Sequence, residues 1–290
     1  MSWMKRLARA TRPLRQTLGH APDMQFPAPP QRYFYLGPEL ALTRLNSGIL
    51  LYVDPLDEHV SANVIAHGQW EKGLHEAVLS LLAPGARVVE VGANIGYYTI
   101  SMALQVGAEG HVTAFEANPR MVGLIERSAR LNGVHDRVSL IGKAAMDAPG
   151  EISFVTSRRN SGGGYVSIWS HLPYDDGVAI TVEAVRLDDM DCGRVDLIRI
   201  DAEGTEPFIL RGAAGIMATH PEIVVAMEWS VVQMASRTSV PEFVEWLTGM
   251  GFRFWRIGYD GAFTPVSAEG MLTLEDCNVV ASRQPPQRRN

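Results

Sequence analysis

The run Val88-Val89-Glu90-Val91-Gly92-Ala93-Asn94-Ile95-Gly96-Tyr97-Tyr98-Thr99 constrains this chain's fold more than any other segment. Apolar residues lead into a glycine-bearing turn and then a helix, so a buried strand must hand over to a helix at a tight corner. A ligand can rest against the start of such a helix where the turn lacks bulky Cβ groups, and Gly92 and Gly96 supply that clearance. On this reading Glu90 sits inside the strand end and Asn94 faces the ligand.

A second apolar strand, His111-Val112-Thr113-Ala114-Phe115-Glu116, ends on an acid. In open α/β sheets ligands lie beyond the carboxyl ends of the strands. An acid about 20 residues past the glycine turn can accept hydrogen bonds from ribose hydroxyls. Glu116 stands at that spacing from Gly96, so a nucleoside is the expected occupant.

Strands and helices alternate through the middle of the chain. Strand Arg87 to Val91 precedes a helix from Ile95; strand His111 to Glu116 precedes a helix from Pro119 to Leu131; Val138 to Ile141 follows. Such alternation builds a parallel sheet covered by helices on both faces. Asn132-Gly133 reads as the end of the second helix. Upstream, Leu40 to Leu45 and Ile49 to Val53 flank Asn46-Ser47-Gly48 as a hairpin, and Gln69 to Leu82 carries helical spacing stopped by Pro84-Gly85. Extra strands at Glu151 to Val155 and Val178 to Val185 enclose a polar, glycine-rich stretch, 157–177, expected to be an active-site lid. The alternation resumes with a strand at Val195 to Asp201, a helix around Thr205 to Arg211 and a strand at Glu222 to Glu228. A helix at Pro241 to Leu247 and strands at Phe252 to Ile257 and Cys277 to Ala281 complete it. Loop signals at Tyr259-Asp260-Gly261 and Gly270 leave no room for a crossover helix between the last two strands, so they are expected to pair antiparallel.

The blocks VVEVGANIGYYTI, VTAFEANP and VDLIRIDAEGTEPFILRGA resemble those of FkbM-family methyltransferases, which use S-adenosylmethionine. They run from Val88 to Ala213, and the hairpin before them is also similar to the family. The resemblance implies a Rossmann-like class I methyltransferase fold: α/β, with a seven-stranded mostly parallel sheet, a reversed last strand and an N-terminal β-hairpin extension. The corresponding layout is a basic segment and proline-rich linker at 1–31, the β extension at 32–70, the methyltransferase domain at 71–283 and a polar tail at 284–290. The resemblance also implies cofactor contacts from Glu90, Gly92, Asn94, Gly96 and Glu116. The family usually carries Asp where this chain has Glu90, whose extra methylene bears on its reach to the methionine end. Methyltransferases often place an Asp after the third strand. Lys143-Ala144-Ala145 stands there instead, so the adenine contact falls to backbone amides around Ala144.

Methyl transfer to an alcohol needs alignment and a place for the proton, and the carboxyl ends of the fourth and fifth strands lie nearest the reacting carbon in this topology. Asp201 and Glu228 occupy those ends. Asp201 is the expected group that orients or deprotonates the acceptor hydroxyl, with Glu203 and Glu228 in support. Two carboxylates one residue apart share a direction if the strand geometry continues. Glu203 and Glu206 are equally readable as caps of the following helix, since anions favour a helix N-terminus. The acids could also hold Mg²⁺, with Asp201 and Glu228 as ligands. Trp229 could stack on a sugar ring or pack in the core. His171, Tyr174, Asp175 and Asp176 could reach an acceptor or form an ordinary loop.

Composition narrows the partners. A net charge of −6 without a dominant basic surface argues against nucleic acid. A hydrophobic fraction of 46% suits a globular enzyme core. Cys192 and Cys277 have no metal-type or disulfide-framework spacing, so a reducing, cytoplasmic location is expected. Lys5, Arg6, Arg9, Arg12 and Arg15 beside Trp3, Met4 and Leu7 could rest on the inner membrane face or lie solvated. The expected activity is O-methylation of a hydroxyl on a sugar, glycan or polyketide-like acceptor. An NAD-dependent oxidoreductase and a non-catalytic scaffold with the cofactor fold are the rivals. The turn lacks Gly-x-Gly-x-x-Gly spacing, and the reversed strand pair separates the chain from dehydrogenases.

Overall fold

A computed structural model of the chain describes residues 32–167 and 177–289. The basic segment and linker, 1–31, lie outside them, as do His171, Tyr174, Asp175 and Asp176. Three strands, β1 (Tyr33–Gly37), β2 (Leu40–Arg44) and β3 (Leu50–Val53), form an antiparallel meander. The hairpin around Asn46 therefore gains a third strand. Helix α1 (Val60–His67) follows, which the sequence reading left out, then α2 (Lys72–Ser80).

The central body runs β4 (Arg87–Val91), α3 (Tyr97–Gln105), β5 (His111–Phe115), α4 (Pro119–Leu131) and β6 (Val138–Ile141). Next come β7 (Ala144–Ala145), β8 (Gly150–Thr156), β9 (Tyr165–Ser167) and β10 (Val178–Val185), which make a separate small sheet in the order β7-β10-β8-β9. The chain returns to the main sheet through β11 (Leu197–Ile200), α5 (Glu206–Arg211), α6 (Ala214–Thr219) and β12 (Val224–Trp229). It ends with α7 (Val231–Ala235), α8 (Val240–Gly249), β13 (Arg253–Ile257), β14 (Phe263–Val266), α9 (Ala268–Met271) and β15 (Cys277–Ser282).

The main sheet has the order β14-β13-β15-β12-β11-β4-β5-β6. β15 lies antiparallel between β12 and β13, the reversed last strand expected from the sequence. It has eight strands rather than seven, because Phe263–Val266 folds back on β13 as an extra edge strand. This is the Rossmann-like class I methyltransferase fold.

Alternation of side chains along β4 explains the two-sided core. Val88 packs with Ile100, Ala103, Leu124 and Ile125 under α3 and α4. Val89 and Val91 face the other way, onto Ile209, Leu210 and Phe243. Helix α4 is closed at its start by Asn118, whose side chain accepts from Arg120 N, and by Pro119 at the first turn. At its far end, Asn132 and Ser128 bond the backbone of Leu50 and Tyr52, which docks the meander onto the helix. The polar tail is also tied down: Arg288 donates to Gly261 O and Arg289 N to Ser80 O.

Candidate active site

The corner between β4 and α3 opens on a cavity of about 390 Å³ at the carboxyl ends of the parallel strands. That is the size range of small-molecule sites, roughly 300–1,000 Å³. Gly92 and Asn94 stand in the turn with φ of +81° and +50°. A Cβ on Gly92 would lie 1.9 Å from the Asp201 carbonyl oxygen, and one on Gly96 would lie 3.1 Å from Ile125. The glycines are therefore required first by the chain's own packing, against β11 and α4, rather than by clearance for a ligand. Gly92 and Asn94 line the cavity, whereas Gly96 lies behind it as the N-terminal cap of α3.

Glu116 is held by two backbone amides, Asn94 N to Oε2 at 2.7 Å and Asn118 N to Oε1 at 2.8 Å. Burial pushes its carboxyl up to about 7 against the lowering effect of those amides. Asn94 Oδ1 is buried without a hydrogen-bond partner among the described residues and sits in the cavity wall. An orphaned acceptor beside an amide-held carboxylate suits a ligand with hydroxyl donors, as a ribose has. Ala144 and Lys143 line the wall past β6, with Phe154 nearby.

Glu90 sits inside the strand end, as expected, but does not line the cavity. It is fully buried beneath the cavity: Thr99 Oγ1 donates to it at 2.5 Å, and Arg199, its cross-strand neighbour, lies 3.4 Å away. Burial raises its carboxyl to about 7, with Arg199 opposing. Its two oxygens are engaged by Thr99 and Arg199, so it braces Arg199 from beneath the cavity.

Arg199 is the residue that the sequence reading missed. Its guanidinium lies 3.8 Å from the Tyr98 ring centroid and donates to Asp201 Oδ2 at 3.0 Å. Burial disfavours that charge, yet Asp201 and Glu90 outweigh it and raise the pKa above the ordinary arginine value. A lone cation inside Leu197-Ile198-Arg199-Ile200, matched by a lone acid in β4, was the available signal.

Asp201, Glu203 and Glu228 each bring a carboxylate oxygen within 4.8 Å of the others. The strand does not continue through Glu203. Its φ is +52° and that of Gly204 is +88°, so a left-handed turn rather than extended geometry folds its carboxylate back towards Asp201. Gln233 Nε2 donates to Glu203 at 2.8 Å. Burial, reinforced by Asp201, pushes Glu203 to about 7 and Glu228 to about 9. Glu206 is turned inward and accepts from Ala202 N at 3.0 Å, which makes it a cap of its own turn. Trp229 is fully buried and donates to Met271 O, so of its two readings core packing is the one the structure shows.

The extension and the glycine-rich insertion meet over the cavity. Ser161 bonds Asp57 through both its amide and its hydroxyl, Glu58 N donates to Arg159 O, and Asn160, Gly162 and His59 line the opening. Among the described residues no helix is long and apolar enough to cross a membrane.

A family model described as Methyltransferase FkbM domain matches residues 90–254, more than half of the chain. A protein-L-isoaspartate O-methyltransferase of Caenorhabditis elegans is 38% identical over 61 residues, 20% of this chain and 27% of that protein. The chain thus spans about a quarter of the curated relative it matches. Among solved structures, methyltransferase FkbM from Methylobacillus flagellatus is 12% identical. That match covers 70% of this chain and 47% of that one, with a TM-score of 0.44. An O-methyltransferase from Bacillus cereus in complex with S-adenosylhomocysteine is 17% identical, covering 76% and 84% with a TM-score of 0.43.

Proposed function

The chain belongs to the FkbM methyltransferase family, and from that premise we propose that it moves a methyl group from S-adenosylmethionine to a hydroxyl of a sugar, glycan or polyketide-like acceptor. When bound, this cofactor supplies an electrophilic methyl carbon on a sulfonium. Glu116 and the orphaned Asn94 Oδ1 would take the ribose hydroxyls. The backbone at Gly92 and around Ala144 would hold the flanking parts of the nucleoside.

The observation that carries the acceptor half is the carboxylate cluster at the ends of β11 and β12. Arg199 holds one oxygen of Asp201, so the other is available to a hydroxyl. Lining up the acceptor oxygen is worth about 7–11 kcal/mol of a barrier, and a placed base roughly 10²–10⁴-fold. As the oxygen gains its bond to carbon it must lose its proton. Glu203, poised at about 7, is the member of the cluster suited to take it near neutral pH. Glu228, at about 9, keeps its own proton and spares the cluster a third negative charge. Mg²⁺ held by Asp201 and Glu228 would be the alternative way to offset that charge, and the 4.8 Å grouping supports it.

The acceptor class, the cytoplasmic location and a membrane-surface contact of the basic segment are parts of the same proposal. The decisive experiment is transfer of labelled methyl to a panel of glycan and polyketide acceptors by the wild type and Asp201→Asn. The variant is expected to lose about 10²-fold or more in turnover while binding S-adenosylhomocysteine normally. Near-wild-type turnover would remove Asp201 from the reaction.

A further inference from the structure

With Glu90 sealed beneath the cavity, the proposed cofactor lacks the carboxylate that the sequence assigned to its amino-acid end. We infer that Glu71 takes that place and binds the cofactor's α-ammonium group. This inference rests on the methyl-donor reading above.

The order of the strands gives the direction. Ala144 stands past β6 and Glu116 ends β5, so a nucleoside seated there runs on towards β4 and the start of α3. Trp70, Glu71, Tyr97 and Tyr98 line the cavity at the start of α3. Glu71 is the residue before α2 and holds a left-handed backbone, φ +42° and ψ +56°. A non-glycine residue in that region carries strain that persists where surrounding structure imposes it, often at a ligand site. The surroundings do impose it. The Tyr98 hydroxyl donates to Glu71 Oε2 at 3.3 Å, Trp70 N donates to the Tyr97 hydroxyl at 3.1 Å, and Arg199 packs on the Tyr98 ring. The side chains of Tyr98 and Trp70 both hydrogen-bond this carboxylate and so fix it in the cavity wall, and carboxylate oxygens can accept further bonds from an ammonium group. Asp201, Glu203 and Glu228 lie further along, at β11 and β12, where the acceptor must meet the methyl group. Glu71 is the carboxylate of the cavity that belongs to the α3 end.

Calorimetric titration of the full chain separates the possibilities with two ligands. S-adenosylhomocysteine carries the ammonium; 5′-methylthioadenosine keeps the nucleoside and the thioether but has no amino-acid end. Glu71→Gln should weaken S-adenosylhomocysteine by about 10–100-fold, the loss of a charged hydrogen bond. Affinity for 5′-methylthioadenosine should stay within about 2-fold. Tyr98→Phe, which keeps the ring over Arg199 and removes the hydroxyl, should weaken S-adenosylhomocysteine alone, by about 2–10-fold. Unchanged S-adenosylhomocysteine binding by Glu71→Gln, or equal loss of both ligands, would overturn the inference. A wild-type chain that binds neither ligand would instead overturn the methyl-donor reading, and this inference with it.

Discussion

Replacing Gly92 with alanine tests whether the turn and the acidic strand end form one mechanical unit. The new Cβ would stand 1.9 Å from the Asp201 carbonyl oxygen, and ordinary contact begins near 3.4 Å, so the two strand ends must part by about 1.5 Å. The residue also keeps φ near +81°, which costs a side chain about 1–2 kcal/mol. Overpacking of this kind adds about 1–3 kcal/mol, for a total near 2–5 kcal/mol. Gly107 provides the internal control. Its φ is +69° and nothing lies within 4 Å of a Cβ there, so Gly107→Ala should show the conformational cost alone, about 1–2 kcal/mol. Urea unfolding of the two variants measures the difference. Turnover should fall about 10²-fold or more in Gly92→Ala, because a shift of 1 Å at an aligned group has that effect, and should be retained in Gly107→Ala. Equal stability losses with turnover intact in both would refute the coupling.

The buried acids predict an unusual pH dependence. Glu90, Glu116 and Glu206 are raised from 4.5 to about 7 by burial, so the folded chain holds protons that the unfolded chain releases. Their contribution is complete below about pH 4.5 and is lost as pH rises through 7. The urea midpoint of the ligand-free protein should therefore decline between pH 5 and 8, and a flat or rising midpoint would contradict these environments. Activity should run the other way on the acid side, rising towards pH 7 as Glu203 ionises; a rate independent of pH from 5 to 8 would exclude Glu203 as proton acceptor. Exhaustive chelation should leave turnover unchanged if the proton kept by Glu228 balances the cluster, whereas loss restored by Mg²⁺ would favour a metal held by Asp201 and Glu228.

The alternating strands and helices were legible because parallel strands buried on both faces read as continuous apolar runs. Val88 to Val91 and Leu197 to Ile200 differ from that pattern only at Glu90 and Arg199, which pair with each other. The position of Glu116 followed from its spacing to the turn. Less legible was anything decided by a left-handed residue. Glu71 and Glu203 have side chains that give no sign of positive φ, yet that φ aims one towards the α3 end and folds the other back on Asp201. Helix α1 was missed because only Val60, Ser61 and Val64 are buried, too sparse a stripe to recognise. The extra strand β14 contains Pro265, which an edge tolerates and which hides the strand in the sequence.

A crystal structure of the full chain with S-adenosylhomocysteine bears most directly on the central claim. The account predicts the ribose against Glu116 and Asn94, the adenine beside Ala144 and the sulfur turned towards Asp201. A nucleoside seated away from Glu116, or a sulfur facing away from the three carboxylates, would contradict it.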